Sequence, residues 1–116
     1  MNIETETRAA ATIARVHEAR IDAAIAIDFR DRMSEIAAEG GTRLVLDLSE
    51  VEFLDSSGLG AIVGVMKEME QGRRLELAGL SATVAKVFRL TRMESVFTIH
   101  PSCAAALAAP AAADRR

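Results

Sequence analysis

Arg43-Leu44-Val45-Leu46-Asp47-Leu48 runs through Ser49-Glu50-Val51-Glu52-Phe53-Leu54 into Asp55-Ser56-Ser57-Gly58-Leu59-Gly60, and this stretch decides the fold. Its first six residues are almost continuously apolar, the pattern of a central strand covered on both faces. Ser49 to Leu54 reads as a short connection. Asp55, Ser56, Ser57 and Gly58 are capping residues, after which Leu59, Ile62, Val63, Met66 and Met69 recur at helical spacing. The spacing predicts a helix that starts close to Ser57 and ends near Gly72, so strand and helix form one unit of an α/β sheet.

Downstream, Arg74 to Ala78 alternates, with Leu75 and Leu77 on one side. Ser81 then caps a predicted helix whose buried face carries Val84, Val87, Phe88 and Thr91. Val96 to Ile99 closes the sheet, and Ser102 caps a last short helix through Leu107. Upstream, Ile3 to Arg8 and Thr12 to His17 form a predicted hairpin across the turn Ala9-Ala10-Ala11. Ile25, Phe29, Met33 and Ile36 mark a helix that Asp22 can start and Gly40-Gly41 can end. The expected order is β-β-α-β-α-β-α-β-α, with right-handed crossovers between parallel neighbours. A single folded domain over residues 1–109 is expected, with 110–116 as a flexible C-terminal tail.

The chain has 116 residues, half of them hydrophobic. Of those, 22 are Ala, yet Leu, Ile, Val, Met and Phe recur in every segment, enough for one core. A net charge of -3 without clustered Lys and Arg argues against nucleic-acid binding. Four Phe and no Trp or Tyr leave no platform for stacking bases. Cys103 is the only cysteine, so neither an internal disulfide nor a cysteine-rich metal site is expected, and a reducing cytoplasm fits. Neither a signal peptide nor an apolar run long enough to cross a bilayer is read, so no direct membrane insertion is expected.

The chemistry gathers at Asp55-Ser56-Ser57-Gly58. Capping alone accounts for one Asp or Ser at a helix start but not for three in a row; spacing by itself favours reading Ser56 and Ser57 as a helix cap plus a turn residue. Gly58 and Gly60 each cost a first helical turn about 1 kcal/mol against Ala, so a neighbouring chain or a packed element is expected to approach the backbone there. A serine hydrolase would need a histidine base and a Gly-x-Ser-x-Gly elbow; only His17 and His100 exist, and the elbow is absent. A phosphate-receiving Asp47 would need an early acidic pair and a late Lys, and neither is present. The chain is therefore expected not to be an enzyme and to need no cofactor or metal.

Asp55-Ser56-Ser57-Gly58-Leu59-Gly60, placed after a buried strand and Val51-Glu52-Phe53-Leu54, resembles the STAS domain of anti-sigma factor antagonists, the phosphorylatable partners of bacterial partner-switching systems. The resemblance runs over nearly the whole chain and includes Ile21-Asp22 and Leu80 through Phe88-Arg89-Leu90. It implies an α/β STAS fold, a mixed central sheet of about five strands packed with about four helices. It also implies that the unphosphorylated protein binds an anti-sigma factor that is also an ATP-dependent serine kinase, thereby freeing the target. In that family the kinase modifies the first Ser after the Asp, so the resemblance implies Ser56 as the acceptor and a serine phosphatase acting on the phosphorylated form.

Strand ends and helix starts gather on one edge of such a sheet. The partner face is accordingly expected around Asp22, Asp55, Ser56 and Ser57 and along the exposed side of the second helix, near Gly58, Ala61 and Lys67. Asp22 has a plain helix cap as its other reading. Two departures from the family pattern bear on the partner: Ala19-Arg20-Ile21-Asp22 stands where Gly-Glu-Leu-Asp is common, and Arg92-Met93 where Gly-Leu is common. Other members of the fold serve as accessory subunits of lipid-transport ATPases or as stress-signalling scaffolds, the alternative role for this chain.

Overall fold

The structure is a computed structural model that describes residues 1–8, 11–69 and 72–109. Strands β1 (Ile3–Arg8) and β2 (Ala11–Val16) form an antiparallel hairpin, Ile3 opposite Val16 and Arg8 opposite Ala11. The predicted turn residues Ala9 and Ala10 lie outside the described residues, as does the predicted tail. There follow β3 (Arg20–Ile21), α1 (Ala26–Glu39), β4 (Arg43–Asp47), β5 (Phe53–Leu54), α2 (Ser56–Glu68), β6 (Arg74–Ala78), α3 (Ala82–Leu90), a 3-10 turn (Met93–Ser95), β7 (Thr98–His100) and α4 (Cys103–Ala108). The main sheet has the order β1-β2-β4-β6-β7, and every pairing after the hairpin is parallel. This is the mixed five-stranded sheet with four helices that the sequence predicts, with a separate parallel pair, β3 and β5, added to it.

The helix starts show what side-chain chemistry decides locally. Ser81 and Ser102 accept from the amides of Val84 and Ala105, as predicted. Asp22 does not cap α1, which begins four residues later behind Ile25 with no side-chain cap. Its Oδ1 accepts from Ala24 N at 3.1 Å, and its carbonyl accepts from Ile25 N at 3.0 Å, so Asp22 holds the turn between β3 and α1. Thr91, predicted on the buried face of α3, is exposed; it ends the helix, and its hydroxyl donates to the Val87 carbonyl. The buried stripe of α2 runs through Gly58, Ala61, Ile62 and Val65 to Met69, while Leu59, Val63 and Met66 are only partly covered.

Strand periodicity gives the sheet two unlike faces. Ala14, Val16, Leu44, Leu46, Leu75 and Leu77 point into the main core under α1, α2 and α3, with Phe29, Met33 and Phe88. The opposite face carries Ala11, Ile13, Val45 and Ala78, covered by Ala106 of α4. It also carries charge. Glu76, fully buried in β6, takes donors from Arg43 at 3.0 and 2.8 Å and from His100 Nε2 at 2.8 Å, all on one carboxylate oxygen. Arg43 donates in addition to the Ala106 carbonyl at 2.6 Å, which pins α4 to the sheet. Burial alone would raise the Glu76 carboxyl, but the Arg43 guanidinium and His100 outweigh it and hold the group below its ordinary value near 4.5.

Removal of one partner from such a buried pair costs about 3–5 kcal/mol, because the other charge is stranded. Glu76→Gln should therefore lower the thermal midpoint by at least ~10 °C, measured by circular dichroism. A group whose pKa is depressed on folding stabilises above its unfolded value and loses that effect as pH falls through the folded one. The gap between wild type and Glu76→Gln should accordingly be full at neutral pH and narrow as the solution is acidified below the carboxylate range. A constant gap across that range would refute the charge-based account.

Candidate functional site

The site is built at the start of α2, where Asp55 is the cap. Its Oδ1 accepts from the Gly58 amide at 2.9 Å, and its Oδ2 accepts from the Ala23 amide at 3.1 Å, in the loop between β3 and α1. The Gly58 amide is the main reason that the Asp55 carboxyl lies below the ordinary range, with burial acting against it and the Ala23 amide adding to it. One carboxylate thus starts a helix and fastens a second loop to it. Asp22 stands at that loop, its Oδ2 taking Arg20 Nε at 3.2 Å. The Arg20 guanidinium lies 4.2 Å from the centre of the Phe53 ring across the β3–β5 pair.

Gly58 explains why the first turn of α2 tolerates glycine. A Cβ there would lie 2.2 Å from the Ile21 carbonyl oxygen and 2.7 Å from Leu54 Cδ1, so the turn sits directly on β3 and β5. Of the two readings of close approach, the packed element is the one observed. At Gly60 a Cβ would meet nothing within 4 Å, and the position is exposed.

Because Asp55 does the capping, neither serine is needed for it. Ser56 and Ser57, the first two residues of α2, are both exposed. Ser57 and Gly60 line one wall of a shallow groove of about 230 Å³ against the start of α1. The structure therefore brings Asp22, Asp55, Ser56 and Ser57 together at one end of the molecule. Gly58 and Ala61, predicted on the exposed side of α2, are buried instead, Gly58 against the Ile21 carbonyl and Ala61 in the main core. Lys67 is exposed and lies close to three whole turns along α2 from Ser56, hence on the same face but roughly 16 Å away.

Among the described residues no cluster of His, Cys, Asp or Glu is arranged to hold a metal ion. Both histidines are engaged by glutamates, His17 by Glu4 and Glu50 at 2.8 and 2.9 Å and His100 by Glu76. Among the described residues no helix is long and apolar enough to cross a membrane. What the arrangement offers is an exposed hydroxyl pair on a helix start that Asp55 already caps. The β3–β5 pair and the Arg20–Phe53 stack were not foreseen, since two-residue strands leave no periodicity to detect.

Gly58→Ala should destabilise the fold by about 1–3 kcal/mol, because the clash is with backbone. Gly60→Ala should stabilise it by up to ~1 kcal/mol, being a solvent-facing helical glycine. Chemical denaturation of the two variants tests the contrast, and equal effects would show that Gly58 is not a packing glycine.

Comparisons with known proteins point one way. A family model described as the STAS domain matches residues 2–106. The anti-sigma-B factor antagonist of Listeria monocytogenes is 34% identical over 80 residues, 68% of this chain and 70% of the relative. An anti-sigma factor antagonist from Mycobacterium paratuberculosis has a similar structure, TM-score 0.83 at 23% identity, covering 91% of this chain and 90% of that one. The Bacillus cell fate determinant SpoIIAA, solved in its phosphorylated form, superposes with a TM-score of 0.66 at 23% identity over 91% of this chain and 96% of that one.

Proposed function

The chain belongs to the STAS domain family, and from that premise we propose that it is an anti-sigma factor antagonist whose binding is switched by phosphorylation of Ser56. The observation that carries the reading is the division of labour at the start of α2. Asp55 alone caps the helix, leaving the Ser56 hydroxyl exposed beside it. A hydroxyl held on a rigid helix end can enter a kinase site without unfolding anything. Unphosphorylated, the protein binds an anti-sigma factor that is also an ATP-dependent serine kinase, and so frees that factor's target. A serine phosphatase restores the binding form. The names of the Listeria and Mycobacterium relatives, and the phosphorylated form of SpoIIAA, support this reading. It makes the chain a cytoplasmic binding module of one domain, 1–109, and not an enzyme.

The partner face is formed by Asp22, Asp55, Ser56 and Ser57, with Lys67 at its far margin. Gly58 and Ala61 serve it from beneath, by letting α2 lie close to β3 and α1. Phosphorylation adds a charge of about -1.5 to -2 beside Asp55. The helix N-terminus offsets this by ~0.3–1 kcal/mol, whereas burying the phosphate unpaired in an interface costs several times more. The fold does not respond, because α2 is held by buried Ile62, Val65 and Met69, each worth ~1.5–3 kcal/mol. Binding is the weaker link and gives way.

Ser56→Asp should lose most affinity for the kinase, by at least about tenfold, and keep a near wild-type melting curve. Ser56→Ala should bind and resist modification. Calorimetry, circular dichroism and peptide mass spectrometry after incubation with kinase, ATP and magnesium read these outcomes. Phosphate on Ser57 in the Ser56→Ala protein would displace the assignment to the neighbouring residue.

A further inference from the structure

Among the described residues, the two large apolar side chains most open to solvent are Ile27, 74% exposed, and Leu90, 71% exposed. Their surroundings mirror each other in charge. Ile27 is the second residue of α1 and is followed by Asp28 and, one turn on, by Asp31, both exposed; the cation beside them, Arg30, is already paired with Glu68. Leu90 ends α3 and is preceded by Arg89 and, one turn back, by Lys86, both exposed, with exposed Arg92 beyond. None of Asp28, Asp31, Lys86, Arg89 and Arg92 takes part in an ion pair among the described residues, whereas Arg8, Arg15, Arg20, Arg30, Arg32 and Arg43 all do. Residues 80–97 hold three cations and only one acid, Glu94, in a chain of net charge -3.

The basic helix also borders a concavity. A groove of about 530 Å³ lies between α3 and β7, floored by Leu80, Ala85, Phe88, Phe97 and Ile99 and edged by Arg89, Glu94 and Ser95. An apolar knob with Asp28 and Asp31 beside it on α1 thus has, on the same chain, an apolar hole with Arg89 on its edge and Lys86 nearby on the same helix, Glu94 being the one acid on its rim. We propose that copies of this protein associate head to tail, Ile27 of one copy entering the α3–β7 groove of the next while Asp28 and Asp31 face Arg89 and Lys86. A bilayer does not fill a concave groove, and three cations at about 1 kcal/mol each with one leucine make a weak anchor. A nucleic acid would meet the bases but leave the apolar floor empty. The second copy alone uses knob, hole and both charge sets.

Because the two faces differ, the interface is heterologous, and each added copy leaves one knob and one hole free. The association does not rest on the partner-switching reading and can fail or hold without it. Sedimentation velocity of the whole chain from micromolar to millimolar concentration should show a mass that rises with concentration. The mass should return to the monomer in about 1 M salt, where charges are screened beyond ~3 Å.

Ile27→Glu removes the knob, and Lys86→Glu with Arg89→Glu spoils the hole. Each variant alone should be monomeric, with association weakened more than about tenfold, and each should keep the wild-type melting curve, since the altered side chains are exposed. Mixed in equal amounts, the two should form a dimer and stop there, because one intact knob meets one intact hole. Three results would overturn the proposal: a wild-type protein that stays monomeric throughout, association that survives either variant, or a mixture that remains monomeric. Binding of the monomer to phosphatidylglycerol vesicles, lost on reversing Lys86 and Arg89, would likewise overturn it and make the basic helix a lipid contact.

Discussion

Both oxygens of the Asp55 carboxylate are taken by backbone amides from different parts of the chain, and the geometry at the start of α2 depends on this. One amide, from Gly58, starts α2; the other, from Ala23, holds the turn that leads into α1. A carboxylate of this length reaches both because Gly58 lets the first turn of α2 settle onto the Ile21 carbonyl. Any side chain at that glycine would push α2 away from β3 and break the second contact. The exposure of Ser56 and Ser57 follows, since the capping task that commonly falls to serine at such a position is already done.

The sheet divides its tasks by face. The face under α1, α2 and α3 is apolar and supplies the main core, so the end of α2 rests on a foundation that surface charge does not disturb. The other face has alanines and one short helix for cover, and there the buried Glu76 with Arg43 and His100 does what apolar area cannot. Arg43 is the hinge of that arrangement, because it joins the carboxylate in β6 to a carbonyl in α4. Charge thus holds the α4 side of the sheet together, and at the start of α2 it fastens two loops to one helix.

Much of this was legible in the sequence wherever a residue pattern repeats long enough to leave a period. The continuous apolar run of β4, the alternation of β6 and the serine caps of α3 and α4 read correctly, and so did the placing of Ser56 and Ser57 at a helix start. The misreadings share a cause. Asp22 has the composition of a cap and acts as one, but for a turn; only the pairing of Ile21 with Leu54 shows that the chain is still extended there. Ala61 looks neutral in sequence and is buried because α1 crosses α2 at that point, a tertiary fact with no local sign. Gly58 and Gly60 look alike as letters, and only the neighbour across the turn separates them.

The order β1-β2-β4-β6-β7 also carries a consequence for how the chain reaches its native state. The hairpin of β1 and β2 joins neighbours along the chain, whereas each parallel pairing must wait for a whole helix and its connections to be laid down between the strands. Such non-local pairing makes the search slow, since loop-closure entropy is lost before the contacts that compensate it form. β4 sits in the middle of the order and pairs with strands on both sides, so no half of the sheet is complete without it. The segment that carries Asp55, Ser56 and Ser57 therefore joins the framework directly after its central strand, and its geometry is complete only when the slowest contacts have formed.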